Sequence, residues 1–269
     1  MSQKRHLGVL DPIADQSSPV VAQTRNYPAG HKIPWHFHDM DQLVYAYRGV
    51  MTVSTADGTW IVPTHRAVWI PAALSHAIAM SGVVAMRSLY FRRRMIKTMP
   101  RSCCVVSVPP LLRELIASAS NFGALIRSDK TQRHIMLMIA DQLQAIHVEP
   151  LRLPTPIDPR AKRVAELLEL NPGERRAFGL LCKQVGASKR TVERLFIRDV
   201  GMTWGKWRQQ LRLMHAMRYL AGGAKVTDAA LQSGYSTPSA FVSMFRRTLG
   251  TTPKAFFREV GNKRTVRRK

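Results

Sequence analysis

The sequence has very little cysteine. Cys103, Cys104 and Cys182 are the three cysteines in 269 residues, and no two of them have C-x-x-C spacing. An odd count without that spacing argues against a disulfide framework and against a thiolate metal site. We interpret all three as reduced structural residues. A redox switch at the adjacent pair stays open as the alternative, although vicinal thiols bridge only with strain.

Long apolar runs are missing as well. No window reaches the roughly 18 consecutive apolar residues that a membrane-spanning helix needs. The first residues, MSQKRHLGVLDP, lack the apolar core of a secretory signal. We therefore expect a cytoplasmic protein with no membrane-spanning segment.

Acidic residues are scarce, with 17 Asp and Glu against 41 Lys and Arg, and the formal net charge is +24. The imbalance is uneven. Residues 154–269 hold 24 basic and 8 acidic residues, whereas residues 1–153 hold 17 and 9. So much like charge destabilises a compact domain unless its surface meets a polyanion. Nucleic acid is the expected partner, and an anionic membrane surface is the competing one.

Residues 20–91 contain short runs that are typical of β-strands. The runs are QLVYAYR, VMTVST, TWIVP, AVWIP and MRSLYF. Asp57-Gly58 lies between two alternating runs and predicts a hairpin. Several short strands at this spacing favour a β-barrel or a sandwich. From about residue 108 the apolar spacing becomes helical, which predicts helices at 108–117 and 131–147.

A proline-rich segment follows these helices. Four prolines occur from His147 to Pro159 and exclude a continuous helix, so we place a linker there. Asp158 is expected to be the N-cap of the next helix, with Pro159 at its first position. At the other end of the chain, the tail 261–269 has five basic residues in nine and is predicted to be disordered.

Two segments, 180–201 and 226–250, resemble each other. Each reads as a short helix, a glycine, a serine and a second helix, which is a helix-turn-helix pattern. The glycine supplies a left-handed backbone where the first helix ends, and the serine suits the next N-cap. The matching residues are Gly186, Ser188 and Phe196 in the first segment and Gly234, Ser236 and Phe245 in the second. The offset is 48 at the glycines and 49 at the phenylalanines, so one segment holds an extra residue.

Between these segments, residues 204–220 predict one helix that ends at Gly222-Gly223. Its apolar residues are Trp207, Leu211, Met214 and Leu220, and its polar face carries Arg208, Arg212 and Arg218. Such a helix is about 25 Å long, which suits two recognition helices separated by the ~34 Å of one duplex turn. One monomer is then expected to read two successive major-groove segments.

At this point the chain resembles the AraC/XylS family of transcription regulators. The resemblance covers residues 160–258, and its most specific parts are GYSTPSAF at 234–241, FRR at 245–247 and GTTP at 250–253. The stretch 207–216 also fits, while Cys182 stands where the family usually has alanine. The resemblance implies a regulator that binds double-stranded promoter DNA, is not an enzyme and forms a homodimer. Activation, repression and contact with RNA polymerase are left open.

The second helix of each segment is where DNA contacts are expected. In the first, the exposed residues are Lys189, Arg190, Glu193 and Arg194. Arginine binds guanine bidentately and glutamate accepts from cytosine, although a solvated charged face is the alternative. In the second, the exposed residues are the small Thr237, Pro238, Ser239, Ala240 and Ser243. They suit thymine methyl contact or DNA shape, so the first helix should supply most base specificity. Arg246 and Arg247 are expected to bind phosphate.

The first half of the chain carries a histidine pattern. Gly30-x5-His36-x-His38-x3-Gln42-x6-Gly49 matches the spacing of the first cupin motif, with glutamine where metal-binding cupins have glutamate. A degraded second motif, residues 71–76, ends at His76 and has Ala73 in place of glycine; Met80 replaces asparagine.

The histidines have three open interpretations. His36 and His38 are two apart on a predicted strand, so their rings face one side, and His76 would complete a three-histidine set. With Gln42 they form a divalent-metal site, a hydrogen-bonded core or the lining of a metal-free small-molecule site.

The predicted fold class is multidomain β plus α. It has a cupin-like sensor barrel (1–107), a helical dimerisation or packing segment (108–147), a linker (148–158), a DNA-binding domain with two helix-turn-helix units (159–260) and a basic tail (261–269). An unknown effector in the barrel is expected to bias DNA binding. Two alternatives remain: a metal-dependent cupin enzyme fused to a DNA-binding domain, and a nonspecific basic coating protein.

Overall fold

The computed structural model describes residues 18–144, 148–149 and 151–258. The chain divides between Arg152 and Leu153 into two compact units. The predicted basic tail 261–269, residues 145–147 of the second predicted helix, and Pro150 of the predicted linker lie outside the described residues. Among the helices that are described, none is long and apolar enough to cross a bilayer.

The N-terminal unit is an antiparallel sheet with two helices. Its strands are β1 (Val20–Tyr27), β2 (Lys32–His36), β3 (Asp41–Thr55), β4 (Gly58–Val62), β5 (Arg66–Ile70), β6 (His76–Phe91), β7 (Cys104–Ser107), β8 (Ala124–Leu125) and β9 (Val148–Glu149). Its helices are α1 (Pro110–Phe122) and α2 (Lys130–Gln144), and a short strand, β10 (Arg152–Pro154), follows at the boundary.

The two long strands, β3 and β6, pair along most of their length in the middle of the antiparallel sheet. The first half of β3 also pairs with β5 and its second half with β4, and the register against β6 shifts around Gly49. Gly49 has a φ of +85°, and a Cβ atom there would lie 2.5 Å from the Val83 carbonyl oxygen. Only glycine fits this close approach, and such irregularities bend a strand and increase its twist.

The predicted strand runs are confirmed with two corrections. QLVYAYR and VMTVST are one bent strand instead of two, because the backbone turns at Gly49 without losing its β6 partner. The hairpin is present, since Thr55 pairs with Gly58, but its turn residues are Ala56 and Asp57, one position earlier than predicted. Gly58 instead opens β4.

Helices α1 and α2 pack on one face of the sheet. Leu43, Tyr45 and Trp69 from the strands share a buried core with Ile116 and Ile139 of the helices. Because side chains alternate along a strand, Gln42 faces the opposite side from Leu43. Helix α1 continues to Phe122, five residues past its predicted end, and stops before Gly123, whose φ is +71°.

The C-terminal unit is helical. Its helices are α3 (Pro159–Leu170), α4 (Phe178–Gln184), α5 (Lys189–Val200), α6 (Trp204–Ala221), α7 (Val226–Gln232), α8 (Pro238–Leu249) and α9 (Pro253–Arg258). The predicted start of α3 is confirmed, because the Asp158 side chain accepts a hydrogen bond from the Arg160 amide. The fully buried Trp207 of α6 donates its indole N–H to the Pro154 carbonyl at 2.8 Å.

The duplicated helix-turn-helix is confirmed. Helices α4 and α7 have seven residues each, and α5 and α8 have twelve each. Gly186 and Gly234 have φ of +67° and +80°, the left-handed conformation that was predicted. The turn spans residues 185–188 in the first unit and 233–237 in the second, so the extra residue lies in the turn.

One predicted cap is correct and the other is wrong. Ser188 accepts a hydrogen bond from the Thr191 amide and caps α5. In the second unit the cap is Thr237 instead of Ser236, and it accepts from the Ala240 amide. Pro238 suits the first helical position, which moves the cap to the residue just before it.

Candidate DNA interface and sensor site

Helix α5 presents a charged face to solvent. Val192, Leu195 and Phe196 are buried and hold the helix against the unit. The opposite side carries the four residues predicted to contact bases, all of them exposed: Lys189, Arg190, Glu193 and Arg194. Within the described part of the chain these four form no ion pair with one another or with other residues. The cations are therefore available to a polyanion.

Helix α8 presents a smaller and mostly uncharged surface. Phe241, Met244 and Phe245 are buried. Six predicted contact residues are exposed and one, Pro238, is half-buried; the exposed ones are Thr237, Ser239, Ala240, Ser243, Arg246 and Arg247. The Thr237 hydroxyl is occupied as the helix cap. The start of α8 therefore presents small side chains and serine hydroxyls to a partner. The positive charge of the helix comes from Arg246 and Arg247 near its C-terminal end.

A cleft of about 320 Å³ lies between α6 and α8. Its lining includes Ala240 and Arg247 together with Arg208, Arg212 and Tyr235. The structure thus groups Ala240 and Arg247 with residues of α6, whereas Ser239, Ser243 and Arg246 are not among the lining residues. The predicted α8 contacts therefore belong to two neighbouring strips of the helix surface.

Two arginines of α6 differ from their predicted role as a polar face. Arg208 and Arg212 are half-buried and both donate to the carbonyl of Glu174. The Arg208 guanidinium lies 5.1 Å from the centre of the Trp204 ring, and that of Arg212 lies 5.9 Å from the Tyr235 ring. They hold the turn before α4 against α6. Sequence periodicity missed this because the acceptor is 34 and 38 residues away.

In the N-terminal unit, three histidines come together from separate elements. His36 ends β2 and pairs in register with His76, the first residue of β6. His38 lies just beyond β2, in the connection to β3, and not on the strand as predicted. Its ring still converges, with centroids 6.1 Å from His36 and 5.1 Å from His76. One potential ligand nitrogen from each ring lies within 4.8 Å of the other two.

Burial keeps two of the three imidazole rings uncharged. His76 is fully buried and His36 is 7% exposed. Burial lowers the pKa of His76 to about 3, and burial also lowers the pKa of His36. Charged imidazolium is costly in such surroundings. Both rings are therefore neutral near pH 7 and offer a nitrogen lone pair.

Gln42 completes the cluster from the inner face of β3. The side chain is 2% exposed, and its Oε1 lies 2.9 Å from Nε2 of His38. Its amide nitrogen donates to the hydroxyls of Ser88 and Tyr90 at 3.2 and 2.9 Å. All four residues of the sequence-predicted effector or metal site are thus brought together. Ala73, which replaces the motif glycine, has a φ of +64°, so the backbone keeps the glycine-like conformation.

Comparison with known proteins agrees with this arrangement. A family described as AraC-like ligand binding domain matches residues 18–149, and one described as helix-turn-helix domain matches residues 181–259. The HTH-type transcriptional regulator NimR of Escherichia coli (strain K12) is 31% identical over 220 residues, covering 82% of this chain and 80% of NimR. The uncharacterized HTH-type transcriptional regulator YbfI of Bacillus subtilis (strain 168) is 24% identical over 238 residues, covering 77% of this chain and 81% of YbfI.

Among solved structures, ToxT from Vibrio cholerae O395 is 8% identical, with a TM-score of 0.39 over 91% of this chain and 99% of ToxT. A ligand-binding β domain followed by two helix-turn-helix units defines a DNA-binding transcription regulator. The chain belongs to the AraC family of such regulators. The resemblance of residues 160–258 to that family is thereby confirmed.

Proposed function

We propose that this protein binds one promoter sequence through α5 and α8 and that the N-terminal unit senses a small-molecule effector. The pair of capped, solvent-facing second helices carries the proposal. Helix α6, which joins the two helix-turn-helix units, has 18 residues and is about 27 Å long. That length suits two recognition helices in successive major grooves.

The two recognition helices divide the work. Arg190, Arg194 and Glu193 of α5 are long enough to reach base edges, and bidentate arginine contacts discriminate guanine strongly. Ser239 and Ser243 of α8 are short and follow groove shape. Arg246 and Arg247, at the C-terminal end of α8, bind backbone phosphate, which adds affinity without reading sequence. Base specificity therefore comes mainly from α5.

The experiment compares Arg194→Ala with a charge-matched control, Arg163→Ala. Arg163 is exposed on α3 and pairs with Glu166, so its loss removes the same charge away from the recognition helices. Genome-wide mapping first supplies the bound sequence, and equilibrium binding is then measured on that duplex and on random DNA. Arg194→Ala should cost about 1–3 kcal/mol on the preferred duplex and relax selection at one base pair.

Two results would contradict this assignment. If Arg194→Ala weakened binding equally on every duplex, Arg194 would be a phosphate contact. If wild-type affinities for the preferred and random duplexes fell together as salt increased to physiological levels, the protein would be a nonspecific DNA coat.

We further propose that the barrel is a sensor and not an enzyme. Family membership among transcription regulators supports this proposal. A candidate effector should change promoter affinity without being consumed, which calorimetry and product analysis by mass spectrometry would check together. His38→Ala should abolish the effector response and leave promoter binding intact.

A homodimer through α1 and α2 is the proposed assembly. Outside the buried faces that pack on the sheet, these helices leave four large apolar side chains exposed: Leu111, Phe122, Leu137 and Met138. Leu137→Glu should shift sedimentation to monomer, whereas Val83→Glu, at an equally exposed apolar site at 59% on β6, should not.

We place the protein in the cytoplasm with its DNA, and contact with RNA polymerase is a proposal for the DNA-bound dimer.

A further inference from the structure

We propose that the N-terminal unit binds one divalent transition-metal ion between His36, His38 and His76, with Gln42 as a neutral fourth ligand. This inference rests on the proposed sensor role of the same residues and gives their ligand a chemical class. Four features of the cluster carry it: the tautomer fixed on each ring, a buried lone pair on His76, the contact of Gln42 with His38, and the absence of carboxylate among the four side chains.

The first feature is the orientation of the three rings. Nδ1 of His36 lies 2.8 Å from the Pro34 carbonyl, that of His38 lies 2.7 Å from the Met40 carbonyl, and that of His76 lies 2.9 Å from the Leu74 carbonyl. A carbonyl only accepts, so each Nδ1 carries the proton and each Nε2 keeps its lone pair. Histidines that bind metals nearly always donate their other ring N–H in this way, which fixes tautomer and orientation.

The second feature is a buried acceptor without a donor. His76 has no exposed surface, and within the described residues its Nε2 has no hydrogen-bond partner. Buried polar atoms are nearly always satisfied, and an exception requires an explanation such as an ion. The neighbouring ring of His36 is 4.2 Å away, centroid to centroid. Nε2 of His36 carries a second lone pair and has no proton to donate to His76. A bound cation would accept the lone pair of His76 that no donor among the described residues satisfies.

The third feature is the contact between His38 and Gln42. Oε1 of Gln42 and Nε2 of His38 are both acceptors when Nδ1 carries the proton, yet they lie 2.9 Å apart. Which end of the Gln42 amide faces His38 is not fixed by its other partners, because the Ser88 and Tyr90 hydroxyls can either accept from the amide nitrogen or donate to the amide oxygen. Donors held about 2.0–2.1 Å from a tetrahedral ion lie roughly 3.3 Å from each other. With Oε1 towards His38, Gln42 is within reach of an ion bound by that ring; with the amide reversed, its N–H donates to His38 instead, and the Gln42→Glu variant below separates the two orientations.

The fourth feature is the composition of the cluster. Three imidazoles and an amide oxygen bring no negative charge, and imidazole suits zinc, copper, iron and nickel, whereas magnesium and calcium prefer carboxylates and water. The histidine nitrogens lie within 4.8 Å of one another. The nitrogens must therefore approach each other by up to about 1.5 Å to reach the donor spacing of a tetrahedral site, and the half-buried His38 outside β2 can supply part of this movement.

The experiment titrates chelator-stripped full-length protein with Co²⁺, whose visible absorption reports four-coordinate binding, and then displaces it with Zn²⁺. One equivalent should bind to the wild type. His76→Ala removes a ligand, so its affinity should fall by more than the about 10–100-fold that loss of an outer-shell partner costs. His134→Ala, at an exposed histidine of α2, should keep wild-type binding. Equal binding by His76→Ala and the wild type would overturn the site.

The Gln42→Glu variant provides a second test of the site in case His76→Ala does not fold. A carboxylate in place of the amide oxygen adds a charged ligand, so Co²⁺ affinity should rise by about tenfold or more while His38, His36 and His76 are retained. Unchanged or weaker affinity would mean that Gln42 is turned away from the ion, and this would overturn the proposed ligand set.

Promoter binding by the same preparations separates this inference from the proposed function. Selective promoter binding by a protein that takes up no Co²⁺ would refute the metal site and leave the regulator standing. Stoichiometric Co²⁺ binding by a protein without promoter selectivity would support the metal site and refute the regulator. Both properties together support both proposals, and neither property refutes both.

Discussion

Replacing Gly49 by alanine tests whether the bend of β3 requires the close approach of its backbone to β6. Gly49 has a φ of +85°, and an added Cβ would lie 2.5 Å from the Val83 carbonyl oxygen and 2.9 Å from a methyl carbon of Val84. The carbonyl belongs to the backbone of β6, so relieving the clash must separate two paired strands. Gly30 is the matched control, because its φ is +77° but a Cβ there meets nothing within 4 Å.

The expected magnitudes follow from these two environments. A left-handed backbone costs a residue with a Cβ about 1–2 kcal/mol, and the reduced freedom of the unfolded chain returns about 0.4–1 kcal/mol. At the midpoints of these two ranges, Gly30→Ala should therefore cost about 0.8 kcal/mol. Gly49→Ala adds a forced displacement in a packed core, which typically costs 1–3 kcal/mol more, for a total of roughly 2–4 kcal/mol.

Amide hydrogen exchange of β3 and β6 peptides in the full-length protein measures this difference in the N-terminal unit alone. When exchange follows the opening equilibrium, a loss of 2–4 kcal/mol accelerates it by roughly 30- to 700-fold. Gly30→Ala should accelerate it by about fivefold or less on the same conversion. Equal acceleration in the two variants would refute the steric argument and leave only backbone strain.

Three further changes test other parts of the fold. Ala73→Gly should stabilise the N-terminal unit by about 0.5–1 kcal/mol, because Ala73 is exposed and has a φ of +64°; chemical denaturation measures it. Burial and, secondarily, the charge of Arg218 lower the pKa of His215 to about 4, so the unfolded state takes up a proton before the folded state does. Stability should therefore fall as pH decreases from about 6.5 to 4, by about 2 kcal/mol between pH 7.5 and 5, in melts compared with His215→Leu. Gly234→Ala should displace the Arg212 guanidinium, 2.8 Å from the added Cβ, and weaken promoter binding.

Each of these predictions has a result that would contradict it. A destabilised Ala73→Gly would show that the methyl group matters more than the backbone conformation. If His215→Leu kept the full loss of stability in acid, other groups would be responsible. For Gly234, the equivalent glycine of the first unit, Gly186, has a φ of +67° but nothing within 4 Å of an added Cβ. If Gly234→Ala weakened promoter binding no more than Gly186→Ala did, displacement of the Arg212 guanidinium would have no effect on promoter binding.

The helix-turn-helix pair was predictable because its signals are local. Gly186 and Gly234 end helices through their own backbone preference, and Asp158 and Ser188 cap helices that begin at the next residue. Ser236 was wrongly predicted as a cap because serine and threonine are both good caps, and the position of the following proline decided between them.

The arginines of α6 were less predictable. Periodicity places Arg208 and Arg212 on the polar side of the helix, and polar sides are usually solvated. The carbonyl of Glu174 and the ring of Tyr235 recruit them instead. Those partners come from a turn and from the next helix-turn-helix unit, and helical periodicity carries no information about them.

Local signals along the chain were enough to predict the order of domains, the duplicated DNA-binding unit and the histidine motif, because glycine conformation, helix caps and apolar spacing act over a few neighbouring residues. Which atoms meet is visible only in the folded chain: Nε2 of His76 is buried beside His36, Gln42 turns its amide towards His38, and Gly49 touches the backbone of β6. These contacts join residues up to 40 positions apart. Their distances depend on strand register and side-chain packing, which a linear pattern does not contain.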